Sequence, residues 1–337
     1  MRGPPADVAA GPSERRRAAC LANLPQIVSG TYLPDAGPRC LLAHPGMTPA
    51  EADAAIAARF PGFNERQRAN QFREFVEPLI ASFRRIGADV PFLVVLGDNT
   101  RLPPVPAFCR TRPIAHRQNA ILGRLGWVRH FAPVAKVDGL DVPWREKADR
   151  LVWRGATTGR FVDRPGAAER GSRSFVPAVL QRTDDRRIDI GFSEVVQLTA
   201  QTTAVPLPLV KRCVRPTLTV AEQLRARYLL ALEGNEVASG LRWMLYSNSV
   251  VLMPRPTYES WACEGLLEPF VHYVPVRPNL SDLEQVLGWC REHDDACEAI
   301  ARNGRAFMAP FWDEPADLAL ADAISTEYAR RIRIVTG

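Results

Sequence analysis

Apolar positions in the first third of the chain follow two helical patterns and then a strand pattern. Thr48 precedes a short helical segment at 49–60 and can serve as its N-cap, with Glu51 at the third helical position. A longer helical stripe occupies 65–86 and leads through a glycine into the continuous apolar run 91–98. A helix, a tight turn and a buried strand in this order are typical of a doubly wound α/β sheet.

The second half of the chain repeats the alternation of strands and helices. Short continuous apolar runs indicate buried strands, and apolar residues at helical spacing indicate the helices between them. We therefore predict an α/β fold for both halves. The predicted strands are 150–153, 188–192, 249–253 and 271–275, and the predicted helices are 172–182, 220–230, 282–292 and 294–307.

A turn at 233–236, with the sequence Glu-Gly-Asn-Glu, precedes a helical stripe that predicts a helix beginning near Asn235. Such a helix start presents unpaired N–H groups and a positive dipole end, which can bind an anionic diphosphate without a metal. Ser239 and Arg242 would add a hydroxyl group and a positive charge. The same residues also fit an ordinary capped helix, with Asn235 as N-cap and Arg242 in solvent, and by themselves they favour this simpler interpretation.

The length and charge of the chain limit its organisation and its partners. A chain of 337 residues exceeds one ordinary core and indicates two domains. The formal net charge of +6 suits acidic partners such as nucleotide diphosphates, anionic glycolipids or a membrane surface. This charge is spread along the chain without a basic stripe interleaved with aromatic residues. We therefore expect no binding of nucleic acid.

The seven cysteines are irregularly spaced and form no C-x-x-C pair and no cluster with histidine. This pattern argues against a zinc site and against a disulfide framework, and it suits reduced thiols in a cytoplasm. The N-terminal segment lacks the continuous apolar core of a signal peptide, and no apolar run reaches the length of a membrane span. We therefore expect a cytoplasmic protein.

Two blocks of sequence carry a resemblance to a known family. The first block reads YLLALEGNEVASGLRWMLYSNSVVLM from Tyr228, followed by EGLLEPFVHYVPV from Glu264. The second reads LVWRGATTGR from Leu151, followed by RGSRSFVPAVL from Arg170 and IDIGFSE from Ile188. Together they resemble glycosyltransferase family 90, which contains bacterial lipopolysaccharide core glycosyltransferases, capsule-associated enzymes and animal protein O-glucosyltransferases. The resemblance is to the bacterial branch in particular.

The resemblance implies GT-B architecture, in which two Rossmann-like domains face each other across a cleft. On this basis we divide the chain into a disordered N-terminal tail at 1–30, an N-terminal acceptor-side domain at 31–140, a C-terminal nucleotide-sugar-binding domain at 145–320 and a C-terminal helix at 321–337. The resemblance also implies two substrates. These are a nucleotide-sugar donor, with a UDP-sugar expected, and a glycan or glycolipid acceptor.

Transfer of a sugar to a hydroxyl group needs a base for the hydroxyl proton and positive charge for the leaving diphosphate. Asp98 is the candidate base because it ends the apolar run 91–98, where open α/β sheets bind ligands, and Gly97 permits close approach. Without the resemblance, Asp98 fits an aspartate of a turn or cap better. The resemblance implies a catalytic aspartate after an apolar strand of the N-terminal domain, which is the position of Asp98.

The candidate donor-binding residues lie in the second half of the chain. Arg173 matches the arginine that leads the corresponding family helix, for which the resemblance implies contact with the donor diphosphate. Gly155, Thr157 and Thr158 come after the predicted strand 150–153 and can offer backbone and hydroxyl donors to the sugar or the phosphates.

Two carboxylates complete the predicted site. Glu259 and Glu264 precede the predicted strand 271–275, where GT-B enzymes often bind ribose or sugar hydroxyls. A carboxylate suits that task because it can accept hydrogen bonds from two vicinal hydroxyls. Both residues fit the capping of a helix at 261–267 equally well.

We predict a cytoplasmic, metal-independent glycosyltransferase that inverts the anomeric centre. The sequence contains no D-x-D motif, which indicates that the helix start and the arginines replace a divalent ion. The bacterial branch implies a lipopolysaccharide core or related surface glycan as acceptor, reached by peripheral contact with the inner membrane, which the basic surplus favours. Two alternatives stay open: a protein O-glycosyltransferase, which the absence of secretory features disfavours, and a non-catalytic module that binds sugar nucleotides or glycans.

Overall fold

The computed structural model of the protein describes residues 30–32, 37, 39–98, 102–159, 172–198 and 205–335. Apart from Gly30, the tail predicted at 1–30 lies outside these ranges. Two larger β-sheets form the framework of the described residues, and helices pack against them.

Strands and helices alternate along the described ranges. The strands are β1 Gly30–Tyr32, β2 Cys40–Ala43, β3 Phe92–Val95, β4 Ala107–Cys109, β5 Thr111–Pro113, β6 Ala120–Leu122, β7 Ala148–Ala156, β8 Ile188–Glu194, β9 Ala226–Leu230, β10 Val250–Met253, β11 Tyr258–Ser260, β12 Val274–Pro275 and β13 Ile332–Ile334. The α-helices are α1 Pro49–Arg59, α2 Glu65–Gln71, α3 Glu77–Arg85, α4 Trp127–His130, α5 Val137–Leu140, α6 Val176–Arg182, α7 Leu207–Arg212, α8 Val220–Leu224, α9 Leu241–Leu245, α10 Leu283–Glu292, α11 Asp294–Met308 and α12 Glu314–Arg331. A π turn spans Phe72–Val76, and 3₁₀ turns span Ala132–Lys136, Trp144–Glu146, Ser172–Phe175, Glu264–Leu266 and Ala309–Trp312.

The first sheet has the strand order β2-β3-β4-β6, in which β2 is antiparallel to β3 and the other neighbours are parallel. All four residues of β3 are apolar and buried, as the continuous apolar run predicts. Helix α1 begins as predicted. The Thr48 side chain accepts a hydrogen bond from the backbone N–H of Glu51, and the Glu51 carboxylate accepts one from the backbone N–H of Thr48.

Helix α2, the π turn and helix α3 form one continuous helical segment over 65–85, which confirms the long helix predicted there. Phe83 in α3 stacks on Phe92 of β3, with the ring centroids 4.6 Å apart. The same ring meets Phe108 of β4 and Tyr328 of α12 edge to face. Aromatic packing of this kind stabilises a core beyond the area that it buries, and it holds the C-terminal helix on the first sheet.

The second sheet is parallel throughout, with the strand order β12-β10-β9-β7-β8. Strands β9 and β10 in its middle are buried over most of their length, as is usual for a parallel sheet that is covered on both faces. The fold is therefore α/β and Rossmann-like, as predicted. Val152, Leu229 and Val251 pack on one face, and Leu151, Tyr228, Leu230 and Leu252 pack on the other.

A two-stranded antiparallel ribbon joins the carboxyl ends of the two sheets. Strand β5, which comes after β4, pairs with strand β11, which comes after β10. Within the ribbon, Arg112 lies opposite Glu259, and its Nε is 2.9 Å from a Glu259 carboxylate oxygen. Both side chains are buried, so this ion pair belongs to the interior between the sheets.

Most predicted elements of the second half are present with shifted ends. The strand predicted at 271–275 is reduced to Val274–Pro275, and the C-terminal helix predicted at 321–337 runs over Glu314–Arg331 and is followed by β13. The confirmed predictions are the strands at 150–153, 188–192 and 249–253 and the helices at 172–182, 282–292 and 294–307.

Among the described residues, no helix combines the length and the apolar character needed to cross a membrane.

Two helix predictions are wrong. The segment 220–230 is helical only as far as Leu224 and then forms β9, whose residues are buried between β7 and β10. The helix predicted to begin near Asn235 begins at Leu241 and has five residues. In both cases tertiary contacts override the local pattern, since neighbouring strands and buried charges hold these backbone segments elsewhere.

Phe83→Ala should lower the free energy of unfolding by roughly 3–5 kcal/mol, because it opens a cavity among the aromatic rings of the first core. Urea unfolding followed by circular dichroism measures this change. Val128→Ala is the control, since Val128 is 50% exposed and its loss should change stability by no more than about 0.5 kcal/mol. Equal losses in the two variants would contradict the central place of Phe83 in the core.

Candidate functional site

A crevice of about 320 Å³ opens at the carboxyl ends of β3, β7 and β9. Open parallel sheets bind ligands at the carboxyl ends of their strands, and small-molecule sites typically measure about 300–1,000 Å³. The charged and polar residues that line the crevice are Asp98, Arg110, His130, Arg154, Thr158, Arg173, Gln223, Asn235, Glu236 and Ser239. Its other walls come from Trp153, Gly155, Ala156, Val220, Ala231, Leu232, Gly234, Val237, Ala238, Gly240, Trp243 and Met244.

Asp98 lies at the rim of the crevice, just after β3. Gly97 precedes it at φ +72°, a left-handed conformation that favours glycine. One Asp98 carboxylate oxygen accepts from Nη2 of Arg110 at 2.6 Å, and the other accepts from the side-chain amide of Asn235 at 3.3 Å. The Asp98 side chain is 33% exposed, so a ligand in the crevice can reach it.

Arg110 and Glu236 form a buried charge cluster beside Asp98. Nη2 of Arg110 donates to one carboxylate oxygen of Glu236, and the Thr111 hydroxyl donates to the other. Both charged side chains are 5% exposed. Burial raises the pKa of the Glu236 carboxyl above its usual value, and the neighbouring Arg110 guanidinium opposes this rise.

Arg173 braces the wall of the crevice that faces Asp98. Its guanidinium donates to the backbone carbonyl of Ala156 at 2.8 Å, to the carbonyl of Leu232 at 3.0 Å and to the Thr158 hydroxyl at 2.5 Å. It thereby joins the ends of β7 and β9. Burial lowers the pKa of Arg173 to about 10, so the guanidinium stays charged at neutral pH.

The segment 234–240 is a bend rather than the start of a helix. The side-chain amide of Asn235 donates to Asp98, and its oxygen accepts from the backbone N–H of Gly159 at 3.0 Å. Glu236 is drawn toward Arg110, which pulls the backbone away from helical geometry. The prediction of a helix N-terminus at Asn235 is therefore wrong. Asn235 and Ser239 line the crevice, and their contact with a donor stays a prediction.

Six of the ten predicted site residues line the crevice, and four do not. Asp98, predicted as the base, and Arg173, predicted as the cation, face the same space. Thr157 is fully buried and its hydroxyl bonds the backbone of Val196 at 2.7 Å, outside the crevice. The six residues are Asp98, Gly155, Thr158, Arg173, Asn235 and Ser239, and the four are Thr157, Arg242, Glu259 and Glu264.

Arg242 and Glu264 pair with each other inside the protein. Nη2 of Arg242 lies 2.7 Å from a Glu264 carboxylate oxygen, and the Ser260 hydroxyl donates to the same carboxylate at 2.9 Å. The two side chains are 1% and 2% exposed. The structure therefore places neither of them in solvent, and neither lines the crevice.

Glu259 is also used in an internal contact. It lies in β11, where Arg112 and Arg117 both contact its carboxylate, at 2.9 Å and 3.0 Å. The alternative prediction, a helix at 261–267 capped by Glu259 and Glu264, is wrong, because that segment forms only a 3₁₀ turn at Glu264–Leu266.

The sequence interpretation missed several residues of the crevice. Arg110 belongs to no motif, and Glu236 figures only as part of the predicted turn 233–236; the two side chains meet because the ribbon brings β5 against the bend 234–240. Trp153 and Trp243 belong to the hydrophobic cores, at 2% and 6% exposure, and both also line the crevice. Gln223 adds a buried side-chain oxygen there, while its nitrogen donates to the backbone of Leu218 at 3.1 Å.

The sequence is similar to those of known sugar-transferring enzymes. Residues 182–316 match the model of the family described as Glycosyl transferase family 90. The chain is 34% identical over 251 residues to the O-glucosyltransferase LpsA of Dichelobacter nodosus, covering 74% of this chain and 70% of that protein. It is 26% identical over 255 residues to protein O-glucosyltransferase 2 of Danio rerio, covering 70% of this chain and 47% of that protein. The chain thus spans less than half the length of this animal relative.

Arg242→Met should lower the free energy of unfolding by roughly 3–5 kcal/mol, because it leaves the buried Glu264 carboxylate without its cation. Urea unfolding measures the loss. The double variant Arg242→Met with Glu264→Gln should lose clearly less, since no unpaired charge remains. A double variant as unstable as the single variant would contradict this account of the pair.

Proposed function

Because the chain belongs to glycosyltransferase family 90, we propose that this glycosyltransferase moves a sugar from a nucleotide-sugar donor to a hydroxyl group of a lipopolysaccharide core or related surface glycan. One observation carries the proposal: Asp98 and Arg173 line the same crevice. A carboxylate and a buried cation facing one space are the two groups that such a transfer needs. The relatives named O-glucosyltransferases favour glucose as the transferred sugar.

The donor would lie across the ends of β7 and β9, in the arrangement of a GT-B enzyme. Arg173 supplies fixed positive charge near Thr158, whose hydroxyl faces the same space. Ser239 offers a second hydroxyl group from the bend, and the indole rings of Trp153 and Trp243 offer apolar faces for a base or a sugar. These groups suit a nucleoside diphosphate, with a UDP-sugar as our proposed donor.

The leaving diphosphate would be stabilised by the protein without a divalent ion. This proposal rests on the sequence, which contains no D-x-D motif, and on the arginines of the crevice wall. Arg154 lines the crevice beside Arg173 and is held by the Asp189 carboxylate at 2.8 Å. Positive charge that is fixed before the reaction can stabilise a developing phosphate anion at no further cost of reorganisation.

Asp98 would act as the base of an inverting displacement. The acceptor oxygen attacks the anomeric carbon from the face opposite the diphosphate, and its proton passes to the Asp98 carboxylate. The bond between the anomeric carbon and the phosphate oxygen breaks, and its electron pair leaves with the diphosphate. We assign to the acceptor hydroxyl the Asp98 oxygen that accepts from Asn235, because this hydrogen bond of 3.3 Å is longer than the 2.6 Å bond between the other oxygen and Arg110.

Two acceptors are candidates for this transfer. The bacterial branch that the sequence resembles favours a glycan, met in the cytoplasm at the inner membrane surface. Similarity to protein O-glucosyltransferase 2 of Danio rerio supports a second candidate, the hydroxyl of a folded peptide. Transfer of radiolabelled glucose to core oligosaccharide, compared with transfer to a folded peptide domain, distinguishes the two acceptors.

Asp98→Asn should reduce transfer by roughly 10²–10⁴-fold, because the general base is lost. Binding of the UDP-sugar, measured by calorimetry, should stay unchanged, since the amide has the shape of the carboxylate. Asp89→Asn is the matched control, because Asp89 is exposed before the other end of β3 and should leave transfer unchanged. Wild-type transfer by Asp98→Asn would remove Asp98 as the base. Donor binding without turnover by the wild type would favour a non-catalytic binding module.

Gly234→Ala should weaken binding of the UDP-sugar by at least about tenfold, which corresponds to roughly 1.4 kcal/mol. A methyl group there would lie 2.5 Å from the Thr158 hydroxyl oxygen and 3.1 Å from the Arg173 guanidinium, so both groups must shift. Gly139→Ala is the control, because no atom lies within 4 Å of its added carbon. The rise of the melting temperature with increasing donor concentration measures the donor affinity of both variants. Unchanged donor affinity in Gly234→Ala would argue against donor binding at this wall.

A further inference from the structure

We propose that Arg110 is a positioning residue for the base: its Nη2 atom binds Asp98 and Glu236 together, and so holds the Asp98 carboxylate ionised at the rim of the crevice. This inference rests on the proposed function, because it takes Asp98 as the group that accepts the proton. It assigns to Arg110 and Glu236 a role in setting the pH range of the reaction.

The geometry concentrates both contacts on one nitrogen. Nη2 of Arg110 lies 2.6 Å from a carboxylate oxygen of Asp98, and it also donates to Glu236. The other carboxylate oxygen of Glu236 accepts from the hydroxyl of Thr111, the residue next to Arg110 in the chain. Two acids from distant parts of the chain thus share one cation at the carboxyl ends of the two sheets.

The path of the Arg110 side chain is fixed by its surroundings. A carbon added at Gly126 would lie 2.5 Å from Cδ of Arg110, and Gly126 has the left-handed φ of +69°, so this position requires glycine. On another side, the Arg110 guanidinium lies 5.5 Å from the ring centroid of Phe75. The cation is therefore held in place before any substrate binds, as electrostatic preorganisation requires.

The charges beside Asp98 act in opposite directions. The Arg110 cation favours the ionised form of Asp98, which is the form that a base needs, whereas the Glu236 carboxylate disfavours it. Among the described residues, the further charged and titratable groups in this region are Arg39, which donates to the Asp98 backbone carbonyl, Arg173 across the crevice, and His130 and Arg242 behind Arg110. Substitution at Arg110 or Glu236 changes the balance, while these other groups remain.

A purely structural cross-link would have a different signature. If Arg110 only tied the bend 234–240 to β5, its loss would lower stability and total activity at every pH alike. A positioning role also shifts the acid limb of kcat/KM, where activity rises as the base loses its proton. The pH profile therefore separates the two roles.

The test compares the pH profiles of kcat/KM for the wild type, Arg110→Lys, Arg110→Met and Glu236→Gln, with UDP-glucose as donor and water or core oligosaccharide as acceptor. In Arg110→Met the acid limb should move to higher pH by about one to three units, since the opposite charge is gone. Arg110→Lys should stay close to the wild type, because one ammonium nitrogen can replace the single bridging atom. Glu236→Gln should move the limb to lower pH by a smaller amount.

Each outcome decides between the alternatives. If Arg110→Met does not fold, the double variant Arg110→Met with Glu236→Gln removes the unpaired buried carboxylate. Its acid limb is then compared with that of Glu236→Gln alone, and it should lie at higher pH by the same roughly one to three units. Acid limbs that coincide with the wild type in Arg110→Met and Glu236→Gln would overturn the inference while leaving the transferase intact. A wild-type protein without turnover of UDP-glucose or any other nucleotide sugar would instead defeat the proposed function itself.

Discussion

Charge that is buried between the two sheets must be paired, and this requirement governs the arrangement of the crevice. An unpaired guanidinium in such a place would cost several kcal/mol. Three buried arginines of this region instead meet a carboxylate from another part of the chain, and a fourth, Arg173, is held by backbone carbonyls. The pairs are Arg110 with Glu236, Arg112 with Glu259, and Arg242 with Glu264. In the first two pairs the arginine belongs to the segment after β4 of the first sheet and the carboxylate to the second half of the chain, so pairing fixes how the sheet ends meet.

The pairing also separates acidic residues that are used in internal contacts from one that stays open to the crevice. Glu259 and Glu264 are consumed by internal contacts, whereas Asp98 shares its cation and keeps a third of its surface open. Arg173 differs from the paired arginines in the same way, because backbone carbonyls and not a carboxylate accept its hydrogen bonds. A cation held by neutral groups keeps its full charge for an anionic ligand. The charges that can act on a ligand in the crevice are therefore those of Asp98 and Arg173, which are not used up in a one-to-one ion pair.

The sequence predicts much of the fold because its strongest signals are local. Thr48 and its capping partner mark the start of α1, and continuous apolar runs mark β3 and β10. The segment 226–230 misleads, because its apolar residues fit a helix until two neighbouring strands are present to bury both faces. Glu236 misleads for a related reason: its partner Arg110 is 126 positions away, and no local pattern announces an ion pair of that span. The family resemblance was enough to predict Asp98 and Arg173 as site residues. The place of Arg110 could be seen only in the three-dimensional structure.

The π turn at Phe72–Val76 connects the long N-terminal helical segment to this chemistry. An extra residue in a helical turn frees a backbone carbonyl, and here the carbonyl of Glu74 accepts from the N–H of Gly126 at 2.9 Å. Phe75 of the same turn lies beside Arg110. Deleting one residue from the turn would restore a regular helix, but it would rotate helix α2 by about 100° around the helix axis relative to α3. The helix would become regular, but the Glu74 carbonyl and the Phe75 ring would no longer both reach Gly126 and Arg110, so the irregular turn is what allows one helical segment to support the wall of the crevice.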